Sequence, residues 1–439
     1  MMLSHATRTG SRPPIARLVA ATLLFAVMLV GTSSCGIHSG GGEIAFMRDG
    51  ALWSIQADGS NSVYIAGNKV VGFAWSPNHH ELVYRSGASA LLAAQGRSPV
   101  STLGAPEAPS VISVASINGG AAIQISPDVD AMLRGDAWWD PSGHRLLYAE
   151  YAGVAGSQPS YIQSQADQPA GIARKLVANA VTLPVISPDG KQIAVIDAQG
   201  NLLLGTAQSQ DRVVATGALV TLPQFARPAR VLWQPRHNAL LYATTSPGGV
   251  SLRLSDLTSG HTILLGTTAL ALDYAFSPDG ARLLVKTPYM LEVWNVTQPG
   301  PPMYMWSESD EIALAWWSPD GSAVLVQDHT GWWLGDIKSG NFDRILYESP
   351  TSDAPPTNVA SWHPAAGSPW SADGARMVFS SGAGMWRGQS LTPPHTGAFG
   401  LYVAEPRNTA SQPRLLDSGP DSAASWSYAD PSTTFLVGG

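Results

Sequence analysis

A short aromatic-and-turn motif recurs along this chain, and its spacing limits what the chain can become. It reads AWSPNH around Trp75, WWDPSG around Trp139, VISPDG around Ile186 and LWQPRH around Trp233. It continues as AFSPDG around Phe276 and WWSPDG around Trp317, then as two decayed copies, PWSADG around Trp370 and SWSYAD around Trp426. Successive copies lie 41 to 64 residues apart. A near-fixed period of that length is the signature of a solenoid, a propeller or an array. Ser-Pro-Asp-Gly suits a tight type I turn: Ser opens it, Pro fixes φ at the second position, and Gly takes the fourth. An aliphatic run follows each turn, as in ELVYRS, RLLYAE, RLLVKT and AVLVQD. Those runs are apolar on successive residues, as strands covered on both faces are.

A second hairpin follows each such pair, near residues 52–66, 111–126, 161–178, 202–216, 251–265, 291–306, 332–347 and 400–417. Eight inner motifs and eight outer hairpins predict an all-β chain, a single β-propeller over 43–439 with eight four-stranded blades. Seven blades with an irregular end is the other count the pattern allows. The first run, EIAFMR (43–48), starts in mid-unit, and the last motif at Trp426 is a first strand without its second. The two ends are therefore expected to close the ring in one blade, which leaves only short edges. TTFLV (433–437) competes as a closing strand.

The turn followed by an aliphatic strand, best seen at Ile186–Gly190, Phe276–Gly280 and Trp317–Gly321, resembles the repeat of TolB-like, WD40-like propellers. The resemblance covers essentially 43–439 and implies the propeller fold. It implies little about function, because one fold hosts many. The repeats begin too early to leave room for the α/β domain that precedes the propeller in TolB.

The first 34 residues read as an address. Arg8, Arg12 and Arg17 come without an acid, residues 18–30 are an uncharged run that is apolar but for Thr22, and small residues 31–34 lead to Cys35, the one cysteine of the chain. That is the layout of a signal peptide, and 13 residues are short for a membrane span. Gly-Thr-Ser-Ser-Cys resembles a bacterial lipobox, although Thr32 stands where a bulky aliphatic is usual. The resemblance implies cleavage before Cys35, lipid on that residue, a tether over 35–42, and a lipid-anchored extracytoplasmic protein of the cell envelope. More than one acyl chain is needed for stable anchoring.

The formal charge of -7 and the absence of basic clusters argue against nucleic acid as a partner. One cysteine makes neither an internal disulfide nor a Cys-rich zinc site. There is no Gly-x-Ser-x-Gly elbow, Walker loop, His-Glu-x-x-His or EF-hand loop, and no cofactor is expected. His79, His80, His144 and His237 sit in or beside the Pro turns and read as polar turn residues rather than metal ligands. Six tryptophans hold the repeat position and read as core between blades. Trp362 and Trp386 fall in irregular segments and are candidate exposed contact anchors, although local packing within their loops is the reading that the residues favour. The loops opposite the Pro turns, 86–110, 127–136, 348–368 and 380–399, line the expected channel mouth. Acids on that side, Asp128, Asp130, Asp136, Glu308, Asp310 and Glu311, are candidates to hold a cation or a basic partner.

Two functions fit. The first is a monomeric, non-enzymatic lipoprotein that binds a protein, peptide or glycan at the channel mouth. The second is an extracytoplasmic hydrolase or lyase whose catalytic acids come from separate blades.

Overall fold

The computed structural model describes residues 42–426 with breaks, the longest of them 88–109 and 349–366. Among the described residues every regular element is a strand. The described strands form nine antiparallel sheets: eight are the successive blades of a β-propeller, and the ninth is a two-stranded pair, Thr221–Leu222 with Arg227–Pro228. Blades 2 to 7 use consecutive strands over 70–124, 133–177, 185–215, 232–268, 273–306 and 312–348. Blade 1 takes three strands from 43–66 and its innermost strand, Asp421–Ser425, from the far end of the chain. Ala45 pairs with Ser425 and Arg48 with Asp421, so the ends of the chain close the ring as their phase predicts. Blade 8 has three strands over 377–418, with an isolated bridge from Trp370 to Met377 in the place of the innermost one. The competing segment 433–437 lies outside the described residues.

The repeat residues explain how blades hold one another. Trp75, Trp139, Trp233, Trp317, Trp370 and Trp426 are all buried. Five of these indoles donate backward to the preceding blade, at 3.1 to 3.3 Å. Trp75 reaches the carbonyl of Ser425, Trp139 that of Ala74, Trp233 that of Val185, Trp317 that of Ala275 and Trp370 that of Trp316. Each acceptor directly precedes the repeat residue of its own blade. One residue type thus fills the seam and ties its blade to a strand carbonyl of the one before. Where the repeat residue is Ile186 or Phe276 there is no N–H to give.

The turns have the geometry their residues dictate. Gly190, Gly280, Gly321 and Gly374 each donate N–H to the Ser three residues back at 2.8 Å, with φ between 67° and 72°. The Ser hydroxyl bonds the Asp carboxylate two residues on, at 2.5 to 2.6 Å in four turns. In the Ser76 turn His79 occupies the glycine place at φ 60°. The inner runs are buried on successive residues, as in Ile193–Ile196 and Ala323–Asp328. Outer strands are exposed on one side, as in Arg212–Ala215.

Candidate functional site

Each inner strand runs from the loop side of its blade to the Pro turn, and the next strand returns. The end of the second strand therefore lies on the face opposite the Pro turns. Aligning the blades on the repeat residue brings Arg85, Lys286 and Gln327 to one equivalent position there, directly after the aliphatic run. All three are buried, and so are the nearby Asp273 and Asp328.

Blades 5 to 7 carry the densest part of this rim. Arg230, just ahead of the inner strand of blade 5, donates Nη1 to Asp273 Oδ1 of blade 6 at 3.0 Å, with side chains only 11% and 1% exposed. The same oxygen accepts the N–H of Tyr274 at 2.8 Å, and the Tyr274 hydroxyl donates to the Arg230 carbonyl. Lys286 stands opposite Asp273 in the ladder. In blade 7, Asp328 accepts the Trp333 indole at 2.6 Å and the Thr330 N–H at 2.7 Å. Glu292 accepts the Trp294 indole at 2.7 Å. The Arg344 guanidinium lies between the rings of Trp333 and Tyr347, at 5.1 and 4.6 Å, and its Nη2 bonds Thr330.

Each of these carboxylates is held by donors, and an ion pair whose carboxylate is 1% exposed is stable only when so completed. The arrangement fixes side chains at the rim of three blades. Among the described residues no group of His, Cys, Asp and Glu is placed to hold a metal ion.

The residues expected from the sequence fare differently. Cys35, Trp362, Asp128, Asp130, Glu308, Asp310 and Glu311 lie outside the described residues. Asp136 falls in the strand Leu133–Trp139, where the register shifts between Arg134 and Ala137. Trp386 requires a correction. It is fully buried rather than exposed, stacks on Phe379 at 5.5 Å, and donates its indole N–H to the Ser411 carbonyl at 3.1 Å. Its segment, placed at the channel mouth from sequence, instead forms a hairpin whose strand Gly384–Trp386 pairs with the outermost strand of blade 7. His79, His80, His144 and His237 are exposed on their turns.

The sequence reading missed Arg230, Asp273, Lys286, Gln327 and Asp328. A signal existed: a polar residue ending an otherwise aliphatic run at one fixed distance from the turn, as in RLLVK and AVLVQ.

No family model matches this chain, and no curated protein matches it. Solved structures similar to it include TolB from Acinetobacter baumannii, at 11% identity and a TM-score of 0.38. That match covers 69% of this chain and 62% of TolB, so the chain spans less than two thirds of TolB's length. A nidogen/laminin complex matches at 12% identity and a TM-score of 0.36, over 68% of this chain and 91% of that one. A eukaryotic initiation factor matches at 9% identity and a TM-score of 0.49, over 88% of this chain and 98% of that one. At these identities the likeness is one of fold.

Proposed function

We propose that this chain is a lipid-anchored extracytoplasmic lipoprotein whose propeller binds a protein, peptide or glycan on the face opposite the Pro turns. The observation that carries the anchor is the position of Cys35, the one cysteine of the chain, directly after a basic, apolar and small-residue leader. The binding role is supported by the rim of blades 5 to 7, where buried carboxylates are held by neighbouring donors. Preorganised polar groups on strand ends recognise ligands without having to reorganise.

The test is intact mass and membrane fractionation of the native protein beside Cys35→Ala. A mature mass that begins at Cys35 and carries acyl chains, with the variant released from membranes, supports the anchor. A chain that keeps its first 34 residues, or is secreted without lipid, removes it. For the binding face, photo-crosslinkers at the part-exposed Met290 and Thr330 should capture the same envelope ligand, whereas one at Asp189 in a Pro turn should not. Equal capture from both faces would displace the ligand site.

A further inference from the structure

An indole N–H buried without an acceptor costs free energy, so buried tryptophans usually find one. Most of the buried indoles in this ring do. Trp75, Trp139, Trp233, Trp317 and Trp370 donate to the blade before. Trp294 donates to Glu292, Trp333 to Asp328 and Trp386 to the Ser411 carbonyl. Trp316 and Trp332 of blade 7 break this pattern, since each Nε1 is buried and has no hydrogen-bond partner in the protein. Two hydroxyls of blade 8 share that condition, Tyr402 Oη and Ser381 Oγ. None of the four residues is more than 3% exposed. Burial alone pushes the ionisation of the Tyr402 hydroxyl upward.

The four side chains lie on one seam, between blades 7 and 8. The rings of Trp316 and Trp332 stack at 5.4 Å. They pack in one cluster with Met377, Phe379 and Tyr402 of blade 8. Tyr402 stands opposite Phe379 in its ladder and stacks on it at 5.5 Å. Ser381, two residues beyond Phe379 on the same strand, turns to the same face. A Cβ on Gly384 would stand 2.8 Å from Ser381 Oγ and 3.0 Å from Leu346. Leu346 pairs with Trp332 on one side and with Trp386 on the other, so Ser381 lies beside that row of blade 7.

We propose that the seam between blades 7 and 8 holds internal water, bound by the indoles of Trp316 and Trp332 and the hydroxyls of Ser381 and Tyr402. The polar groups select the occupant. Indoles only donate, so the occupant must accept, whereas the hydroxyls take either role. An ion would lose its hydration among aliphatic and aromatic side chains, where four neutral groups do not replace it. The seam is also narrow, because at Gly384 even one added carbon would collide. Water is small and neutral, it both accepts and donates, and a buried water typically makes about three bonds to groups otherwise unpaired.

The experiment is a crystal structure of the full chain in mild detergent, at a resolution that shows ordered water, beside the variants Tyr402→Phe and Ser381→Ala. The denaturant midpoint of each protein is measured in parallel. Solvent density is expected within about 3.2 Å of at least two of the four polar atoms. Each substitution removes one hydroxyl and little else. With water in the seam, that loss breaks a hydrogen bond and the midpoint falls. In a dry seam the same loss relieves an unpaired buried hydroxyl, and the midpoint holds or rises. Density at the seam, with a lowered midpoint in at least one variant, supports the proposal. Density within reach of fewer than two of the four atoms overturns it, and so does a midpoint that holds or rises in both variants.

Discussion

The indole Nε1 of Trp317 donates to the carbonyl of Ala275, 3.3 Å away and one blade back in the ring. The same bond recurs at Trp75, Trp139, Trp233 and Trp370. The repeat residue is therefore a donor to its neighbour as well as a core side chain. Trp317→Phe keeps an aromatic ring but leaves the Ala275 carbonyl, inside a fully buried strand, without that donor. The expected cost is about 0.5–1.5 kcal/mol, that of one hydrogen bond, because the carbonyl keeps its ladder place opposite Leu284. It would be read as a lowered denaturant midpoint. A Trp317→Phe protein with unchanged stability would show the bond to be incidental.

Gly280 and Gly217 separate two costs that glycines share. Both have positive φ, 72° and 67°. A Cβ on Gly280 would stand 2.8 Å from the Pro235 carbonyl of the preceding blade, whereas one on Gly217 meets nothing within 4 Å. Gly217→Ala should cost about 1–2 kcal/mol for the left-handed backbone alone. Gly280→Ala should cost more, because the blade seam must also open. Parallel thermal melts of the two variants check the order, and equal losses would rule out the contact.

The fold was legible because the repeat is physical. Pro, Asp and Gly build the turn, the aliphatic run builds a strand covered twice, and the Trp fills the seam. Even ring closure followed from the phase of EIAFMR against the motif at Trp426. The site was less legible. Lys286 and Gln327 look like ordinary strand ends until blades are aligned, and Asp273 is recognisable only beside Arg230, 43 residues earlier. Trp386 misled for a related reason. An irregular stretch between strands reads as a loop, but this one pairs with the edge of the previous blade, a long-range contact that local pattern does not encode.

Trp386→Ala tests that corrected placement. The ring is fully buried, lies nearly parallel to Phe379 at 6°, and its N–H is engaged. Truncating a core aromatic costs about 3–5 kcal/mol. Exchange should loosen in Gly384–Ser390 and in Phe342–Glu348, the strand it covers. A surface aromatic would show neither effect, so a variant of unchanged melting temperature would restore the exposed reading.

Acid should loosen the Pro-turn face through Asp320. Arg407 donates to both of its oxygens, at 3.0 and 3.1 Å, and that hydrogen bonding first, with those from Ser318 and Ser322, holds the carboxyl far below its ordinary range. The folded pKa is thus depressed. The stabilisation is present above the unfolded value, near 3.9, and is lost as pH falls through it toward the folded value. Both side chains are well exposed, so salt should weaken the effect. Arg407→Gln should flatten the fall in melting temperature between about pH 4 and pH 2. An identical acid profile in the variant would remove Arg407 as the cause.

The pair Arg230–Asp273 joins blades 5 and 6 at the proposed binding rim, and its burial makes the two halves unequal to the whole. Removing one partner takes the ion pair from a buried charge, which costs up to about 3–5 kcal/mol. Arg230→Met and Asp273→Leu should each lower stability within that range. The double variant should lose less than the two losses together, because the lost interaction is then counted once. A double-mutant cycle from denaturant unfolding measures the coupling. Strict additivity would mean that the two side chains are held by their own surroundings and not by each other. The rim would then be two independent sites on neighbouring blades rather than one preorganised surface.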